Sequence, residues 1–98
     1  MKTKVDVSPQ VVGFVKSLAP DPRRKLTQAI KSLAGDRGEI KRIEGRLEGY
    51  SRLRVSGIRV IFREVYRNGE RVIDCVFAEK RSIVYDLFIQ ITAEEIGL

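Results

Sequence analysis

The sequence contains no histidine and only one cysteine, Cys75. The absence of histidine excludes catalytic triads and metal sites that depend on an imidazole. One cysteine cannot form an intramolecular disulfide, which is typical of proteins from a reducing compartment. Because Cys75 lies in an apolar run and no histidine can activate it, we expect a buried structural thiol and not a nucleophile.

Long hydrophobic segments are also absent. The N-terminal residues lack the apolar stretch of a signal peptide, and no run approaches the roughly 20 apolar residues of a membrane-spanning helix. We therefore expect a cytoplasmic protein that has no membrane partner. A chain of 98 residues has the size of one domain, and we assign residues 1–98 to a single domain.

Positive charge dominates the composition. Lysine and arginine number 19 against 13 acidic residues, which gives a formal net charge of +6. A small basic domain favours an anionic partner, such as nucleic acid, an acidic protein or a membrane surface. The alternative is that the charge serves solubility alone.

The first third of the chain predicts a short strand followed by two helices. "TKVDVS" alternates with period two, and Ser8-Pro9 is typical of a helix start. Pro20 is expected to end this helix, and Asp21-Pro22 to start the next one, which closes at Gly35. Apolar residues recur at helical spacing in both segments: Val11, Val12, Val15 and Leu18 in the first, and Leu26, Ala29, Ile30 and Leu33 in the second.

The remainder of the chain predicts mainly strands. Residues 35–48 are expected to be mainly loop, and three antiparallel strands follow, joined by turns at Ser56-Gly57 and Asn68-Gly69. "KRSIVYDLF" is interpreted as an extended segment or the start of a short helix. The run from Thr92 to Glu95 resembles a capping box that opens a brief terminal helix. The predicted fold is α+β in the order β-α-α-β-β-β, with a helical hairpin packed on a twisted antiparallel sheet.

Three arginines lie within the first predicted hairpin. Since successive strand side chains point to opposite faces, Arg52 and Arg54 share a face with Tyr50, while Leu53 and Val55 face the helices. Arg59 joins the basic face if the hairpin register allows, and Val60 and Phe62 then reach the core. Segment 51–63 carries no acid within the two arms, although like charges across strands are unfavourable. This pattern favours an anion site, and a solvated face is the alternative.

A second group of candidate site residues follows the last predicted strand. Lys80 and Arg81 end that strand, and Tyr85 comes four residues after Arg81. Arginine binds phosphate through a forked donor set, and tyrosine offers a plate on which an unpaired base can stack. Together these residues suit single-stranded RNA better than a duplex. A half-buried core tyrosine is the alternative for Tyr85.

The segments "LEGYSRLRVSGIRVIF" and "RVIDCVFAEKRSIVY" resemble the RelE/ParE superfamily of bacterial toxin–antitoxin toxins. The most specific parts are the pattern L-x-G-x-x-R-L-R-V-x-x-x-R-V-I-F and the ending K-R-S-x-V-Y. The resemblance, which favours the RelE branch, implies a RelE-like fold and a metal-independent, cofactor-free endoribonuclease. Such a toxin inhibits translation by cutting mRNA on the ribosome, and an acidic cognate antitoxin neutralises it.

The same resemblance implies roles for individual residues. Arg59 matches the arginine that contacts phosphate, Arg81 an acid or charge stabiliser, and Tyr85 the residue that stacks on or positions the substrate. Arg52 and Arg54 match positions at which RelE-type toxins have basic residues, and Arg54 is expected to be catalytic. The residues expected to bind RNA are Arg52, Arg63 and Lys80. The apolar tail "YDLFIQI" is a candidate antitoxin contact, and core packing of Leu87, Phe88 and Ile91 is the alternative.

Two departures from the family pattern concern proton transfer. Arg54 replaces a lysine that is proposed as the general base, and arginine is a poor proton acceptor because it stays protonated. Lys80 stands where many relatives have histidine, which exchanges protons near neutral pH. Two alternatives therefore stay open: a ParE-like inhibitor of DNA gyrase, and a non-catalytic nucleic-acid-binding homologue.

Overall fold

A computed structural model of the chain describes residues 2–95 and contains five strands and three helices in that range. In chain order these are β1 (Thr3–Val7), α1 (Pro9–Ser17), α2 (Pro20–Ser32), β2 (Glu39–Arg42), β3 (Ser51–Val55), β4 (Ile58–Arg67), β5 (Glu70–Lys80) and α3 (Val84–Glu95). Short 3-10 turns follow α2 and precede β3. Among the described residues, no helix combines the length and apolar character that crossing a membrane requires.

Both predicted helices of the N-terminal third form. The Ser8 hydroxyl accepts a hydrogen bond from the Val11 N–H at 3.2 Å and donates one to the Val76 carbonyl at 3.0 Å. The N-cap of α1 is thereby fastened to β5. The start of α2 differs from the prediction, because Pro20 is the first residue of α2 and follows its N-cap, Ala19. The fixed φ of proline is compatible with the first turn of a helix.

The sheet has the strand order β1-β5-β4-β3-β2. Strands β3, β4 and β5 form the predicted antiparallel meander, with left-handed φ values of 54° at Ser56 and 53° at Asn68 in its turns. Strand β1 instead pairs with β5 in parallel, so the sheet is mixed and not wholly antiparallel. The α+β class is confirmed. Strands β1 and β5 can pair in parallel because the chain between them, which includes α1 and α2, is long enough to connect opposite ends of the two strands.

Segment 35–48 was predicted to be mainly loop, but it contains the edge strand β2. Ile40 pairs with Leu53, and Lys41 pairs with Arg52. All four β2 residues are exposed, so no alternation of buried side chains marks the strand in the sequence. Gly38 precedes it with a φ of 119°, and a Cβ placed there would lie 2.8 Å from Leu53 Cδ1.

Helices cover both faces of the sheet. The first core lies between the sheet and α1 and α2, and its buried residues are Val11, Leu26, Ile30, Leu33, Leu53, Val55, Val60, Phe62, Ile73, Cys75 and Ala78. The second core lies on the opposite face under α3, and its buried residues are Leu47, Ile61, Phe77, Val84 and Phe88. Apolar burial on both faces fixes the register of the central strands.

The C-terminal segment forms the helix α3. Phe88 is buried and its ring lies edge-on to the Tyr50 ring, with centroids 5.2 Å apart, whereas Ile91 is exposed. The predicted capping box at Thr92 is wrong. Thr92 lies inside α3, and its hydroxyl donates to the carbonyls of Phe88 and Ile89, a bond that a helix-interior threonine makes with the preceding turn.

Candidate nucleic-acid interface

The β3–β4 hairpin gathers the three predicted arginines on one face. Arg54 pairs directly with Arg59 across the two strands, and Arg52 lies two positions before Arg54 on the same side. Leu53 and Val60, which pair on the opposite side, are buried in the first core. The distribution of side chains between the two faces is therefore confirmed, and α3 occupies part of the basic face.

Arg59 is the one charged residue among the described positions that is buried, with a relative exposure of 8%. Its Nη1 donates to the carbonyls of Ser56 at 2.9 Å and Ile58 at 3.0 Å. Within residues 2–95, Nη1 makes all the hydrogen bonds of this side chain, which leaves Nε and Nη2 available to a ligand. A guanidinium held in this way presents its donors in a fixed orientation.

The surroundings of Arg59 are strongly electropositive. Burial lowers the pKa of Arg59 from its ordinary value, and the charges of Arg54 and Arg52 lower it further. Arg81 adds to this effect, while Tyr85 opposes it. Since arginine stays protonated in proteins, the consequence is a concentrated positive potential at Arg59 and not a loss of its charge.

Arg81 and Tyr85 reach this cluster from beyond the end of β5. The Arg81 N–H donates to the Gly57 carbonyl at 2.9 Å, so the backbone of Arg81 is fastened to the β3–β4 turn. Tyr85 lies in the first turn of α3 and packs against the second core. The structure thus brings together Arg52, Arg54, Arg59, Arg81 and Tyr85, five of the seven predicted site residues.

The other two predicted residues lie apart from this cluster. Arg63 is four positions beyond Arg59, roughly 13 Å along the strand; its Nε lies 3.2 Å from Asp74 Oδ2, and its guanidinium lies 5.9 Å from the Tyr50 ring centroid. Lys80 pairs with Ile58, and strand alternation places it on the face opposite Arg59. Their roles in RNA binding stay predictions.

Three charged residues of the adjoining strands escaped the sequence analysis. Lys41 pairs with Arg52, Glu39 pairs with Arg54, and Glu79 pairs with Arg59. Glu39 Oε2 lies 3.8 Å from Arg54 Nε, a distance at which two exposed charges attract weakly. Segment 39–43, "EIKRI", has no period-two alternation, and the position of Glu79 beside Arg59 depends on strand pairing, so the sequence offered no signal for these three residues.

A cleft of about 280 Å³ opens beside Tyr85 at the edge of the cluster. Its lining residues are Lys41, Arg42, Ile43, Glu44, Arg52 and Tyr85. Cations beside an aromatic ring can hold a phosphate and an unpaired base together. Within the described range, no group of three or more histidine, cysteine, aspartate or glutamate side chains could hold a metal ion.

Comparison with solved structures identifies similar folds. Complexes of RelE with RelB supply two of them: that of Pyrococcus horikoshii OT3 has 22% identity and a TM-score of 0.63 over 83% of this chain and 97% of the other. That of Methanococcus jannaschii has 18% identity and a TM-score of 0.58 over 84% and 96%. A YoeB/ParE toxin from Agrobacterium tumefaciens has 15% identity and a TM-score of 0.63 over 83% and 99%.

Sequence comparison alone does not give this result. No protein-family model matches the chain, and no curated protein is similar enough in sequence to match it. The likeness to solved structures covers more than four fifths of the chain in each case and nearly all of the compared toxins. In agreement with the sequence motifs, the chain therefore has the same fold as these RelE and YoeB/ParE structures.

Proposed function

We propose that the protein is the toxin of a toxin–antitoxin module and that it cleaves mRNA on the ribosome. One observation carries this proposal: the buried Arg59 is surrounded by Arg52, Arg54 and Arg81, with Tyr85 beside them. Glu39 and Glu79 lie on the adjoining strands, but the basic groups that act on Arg59 are all arginines and lower its pKa. A surface of this kind is suited to a polyanion.

The proposed chemistry needs no cofactor. The RNA 2′-oxygen attacks the adjacent phosphorus, the bond from phosphorus to the 5′-oxygen breaks, and a 2′,3′-cyclic phosphate and a 5′-hydroxyl result. Negative charge accumulates on the phosphoryl oxygens in the transition state. In this proposal Arg59, whose guanidinium is held by two backbone carbonyls, stabilises that charge together with Arg81, and such electrostatic stabilisation is often the largest contribution to catalysis.

Proton transfer requires groups other than the arginines. An arginine at position 54 cannot accept the 2′-hydroxyl proton. The carboxylates that neighbour the basic face from the adjoining strands are Glu39, opposite Arg54, and Glu79, opposite Arg59. We propose that one of them accepts the proton, that water protonates the departing 5′-oxygen, and that Arg54 contributes charge alone.

An acidic antitoxin is the proposed protein partner. Two of the similar solved structures are complexes of a RelE toxin with RelB. On the side of the sheet opposite the arginines, this chain has an apolar groove of about 320 Å³ between β1, α1 and α2. Lys16 and Lys31 line it together with valine and isoleucine side chains. An acidic segment with apolar residues would match that surface.

The test is to express the chain without an antitoxin and to map RNA 5′ ends on translating ribosomes. We expect cuts at defined codon positions, with a 2′,3′-cyclic phosphate on the upstream fragment. Arg59→Ala and Arg81→Ala should abolish the cuts. Arg24→Ala is the matched control, because Arg24 is an exposed arginine of α2 that pairs with Asp21. Intact mRNA with translation unaffected would disprove the proposal.

A ParE-type gyrase inhibitor is the second candidate function. The observation in its favour is that a similar solved structure carries the name YoeB/ParE. This candidate predicts that the purified protein blocks supercoiling by DNA gyrase. Normal supercoiling in the presence of excess protein would eliminate it.

A further inference from the structure

We propose that the cleft beside Tyr85 selects guanine and that Glu44 is the residue that recognises the base. This inference rests on the proposed function, since it concerns the RNA that the basic face would bind. Arg52 belongs both to the cleft and to the charged surroundings of Arg59. A nucleotide whose phosphate lies at Arg59 can therefore place a neighbouring base in the cleft.

Tyr85 supplies the stacking surface of this cleft. It is partly buried, because it packs against the second core next to the buried residues Val84 and Phe88. An aromatic side chain held in this way stacks on a base with little loss of conformational entropy. Stacking alone does not discriminate among the four bases, since each of them has a flat face.

We assign discrimination to Glu44, the one acidic residue that lines the cleft. Within residues 2–95, Glu44 forms no ion pair and no side-chain hydrogen bond, including at the 3-10 turn that it precedes. An ionised carboxylate accepts hydrogen bonds and donates none. It therefore favours a base edge with two adjacent donors.

Guanine is the base with that edge. Its N1–H and 2-amino group lie side by side and match both oxygens of a carboxylate. Adenine and cytosine each place one amino group beside an acceptor nitrogen, and uracil has one imino group between two carbonyls. In those three cases a carboxylate oxygen faces an acceptor, so one hydrogen bond is lost and like partial charges meet.

The backbone around Glu44 is held in place on both sides. The Ile43 N–H donates to the Tyr50 carbonyl at 3.0 Å, and the Tyr50 N–H donates to the Leu47 carbonyl at 3.1 Å. Leu47 is buried in the second core. Glu44 therefore belongs to an anchored connection between β2 and β3, as a residue that reads a base requires.

The experiment measures binding of 2′-O-methyl trinucleotides U-N-U, which cannot be cleaved through a 2′-hydroxyl. For the wild-type chain we expect U-G-U to bind about tenfold more tightly than U-A-U, U-C-U or U-U-U. Inosine in place of guanine, which lacks the 2-amino group, should lose part of that preference. Tyr85→Ala should weaken binding of all the trinucleotides.

Glu44→Gln should remove the preference for guanine without weakening binding of the other bases, because it replaces one acceptor oxygen by a donor. Glu48→Gln is the matched control, since Glu48, like Glu44, is exposed in the same connection but does not line the cleft. Equal affinities for the four trinucleotides, or an unchanged preference in Glu44→Gln, would overturn the inference. Either result would leave the cleavage test untouched, so the two proposals can fail separately.

Discussion

At the residue scale, Arg59 combines features that stability alone would not favour. It is buried, and Arg54, Arg52 and Arg81 are all close enough to lower its pKa. Burying a charge without a counter-ion is costly. Its hydrogen bonds to two backbone carbonyls offset part of that cost and hold the side chain in one orientation. We interpret Arg59 as a residue retained for its ligand at the expense of stability.

This interpretation predicts that Arg59→Met stabilises the protein while it removes function. At low salt we expect the free energy of unfolding to rise by about 1 kcal/mol, since a buried unpaired charge is replaced by an apolar side chain. Cleavage should fall by at least about a hundredfold. Urea unfolding and the ribosome assay are the measurements.

Salt provides the control for this prediction. Added salt screens the repulsion among the arginines, so the stability difference between Arg59→Met and the wild type should shrink as ionic strength rises. Arg24→Met, at an exposed position of α2, should show neither effect. If Arg59→Met is less stable than the wild type at low salt, the two carbonyl hydrogen bonds outweigh the repulsion and the interpretation is wrong.

The residues that the sequence could place are those whose position depends on local pattern. Alternation within β3 and a tight turn at Ser56 suffice to put Arg52, Arg54 and Arg59 on one face. Glu79 and Lys41 were not predictable in the same way, because their place beside the arginines depends on which strands pair and in which register. Such pairing is a property of the assembled sheet.

At the scale of elements, those with a clear local sequence pattern were predicted correctly, and those without one were missed or left ambiguous. The helices α1 and α2 and the meander β3–β5 have long periodic patterns and strong turn signals, and all of them form. Strand β2 has four exposed residues and no buried alternation. In α3 the apolar residues are so dense that their period does not distinguish a helix from an extended segment.

At the same scale, alanine substitutions at two glycines should change the free energy of unfolding in opposite directions. Gly38→Ala should destabilise the protein by about 1–3 kcal/mol, because its φ of 119° is strained for any side chain and the new Cβ would meet Leu53 in β3. Gly13→Ala should stabilise it by about 0.5–1 kcal/mol, because Gly13 lies in α1 with no atom within 4 Å of a new Cβ.

Thermal or urea unfolding of the two alanine variants measures this pair. Equal effects at both positions would show that the close approach of Gly38 to β3 does not constrain the β2 edge. A selective loss at position 38 would show that β2 is anchored, which the cleft beside Tyr85 requires, because Lys41 and Arg42 of β2 form part of its wall.

At the scale of the whole molecule, global stability should fall in alkaline solution because of Cys75. Burial raises the pKa of the Cys75 thiol to about 12, and Asp74 and Asp6 raise it further. An exposed thiol of the unfolded chain ionises near pH ~8.5. Above that pH the unfolded state binds fewer protons than the native state, so the free energy of unfolding falls as pH rises toward about 12.

The measurement compares wild type with Cys75→Ala in urea between pH 8 and pH 10. Relative to the variant, the wild type should lose about 2 kcal/mol of stability over this range. The packing defect of the variant does not depend on pH, so it offsets its curve by a constant. A difference in slope between the two curves therefore reports the thiol alone. Parallel curves would mean that the thiol ionises in the native state as it does in the unfolded chain.

The parallel pairing of β1 with β5 determines when the protein can fold during its synthesis. Ser8 in the α1 cap bonds to Val76, which is 68 residues later in the chain, so β1 cannot pair until β5, the last of the described strands, has been synthesised. Contacts so distant in sequence close slowly and late. Arg81 and Tyr85 come later still. If the chain acts on ribosomes as proposed, its basic face is incomplete until Arg81 and Tyr85 have been synthesised.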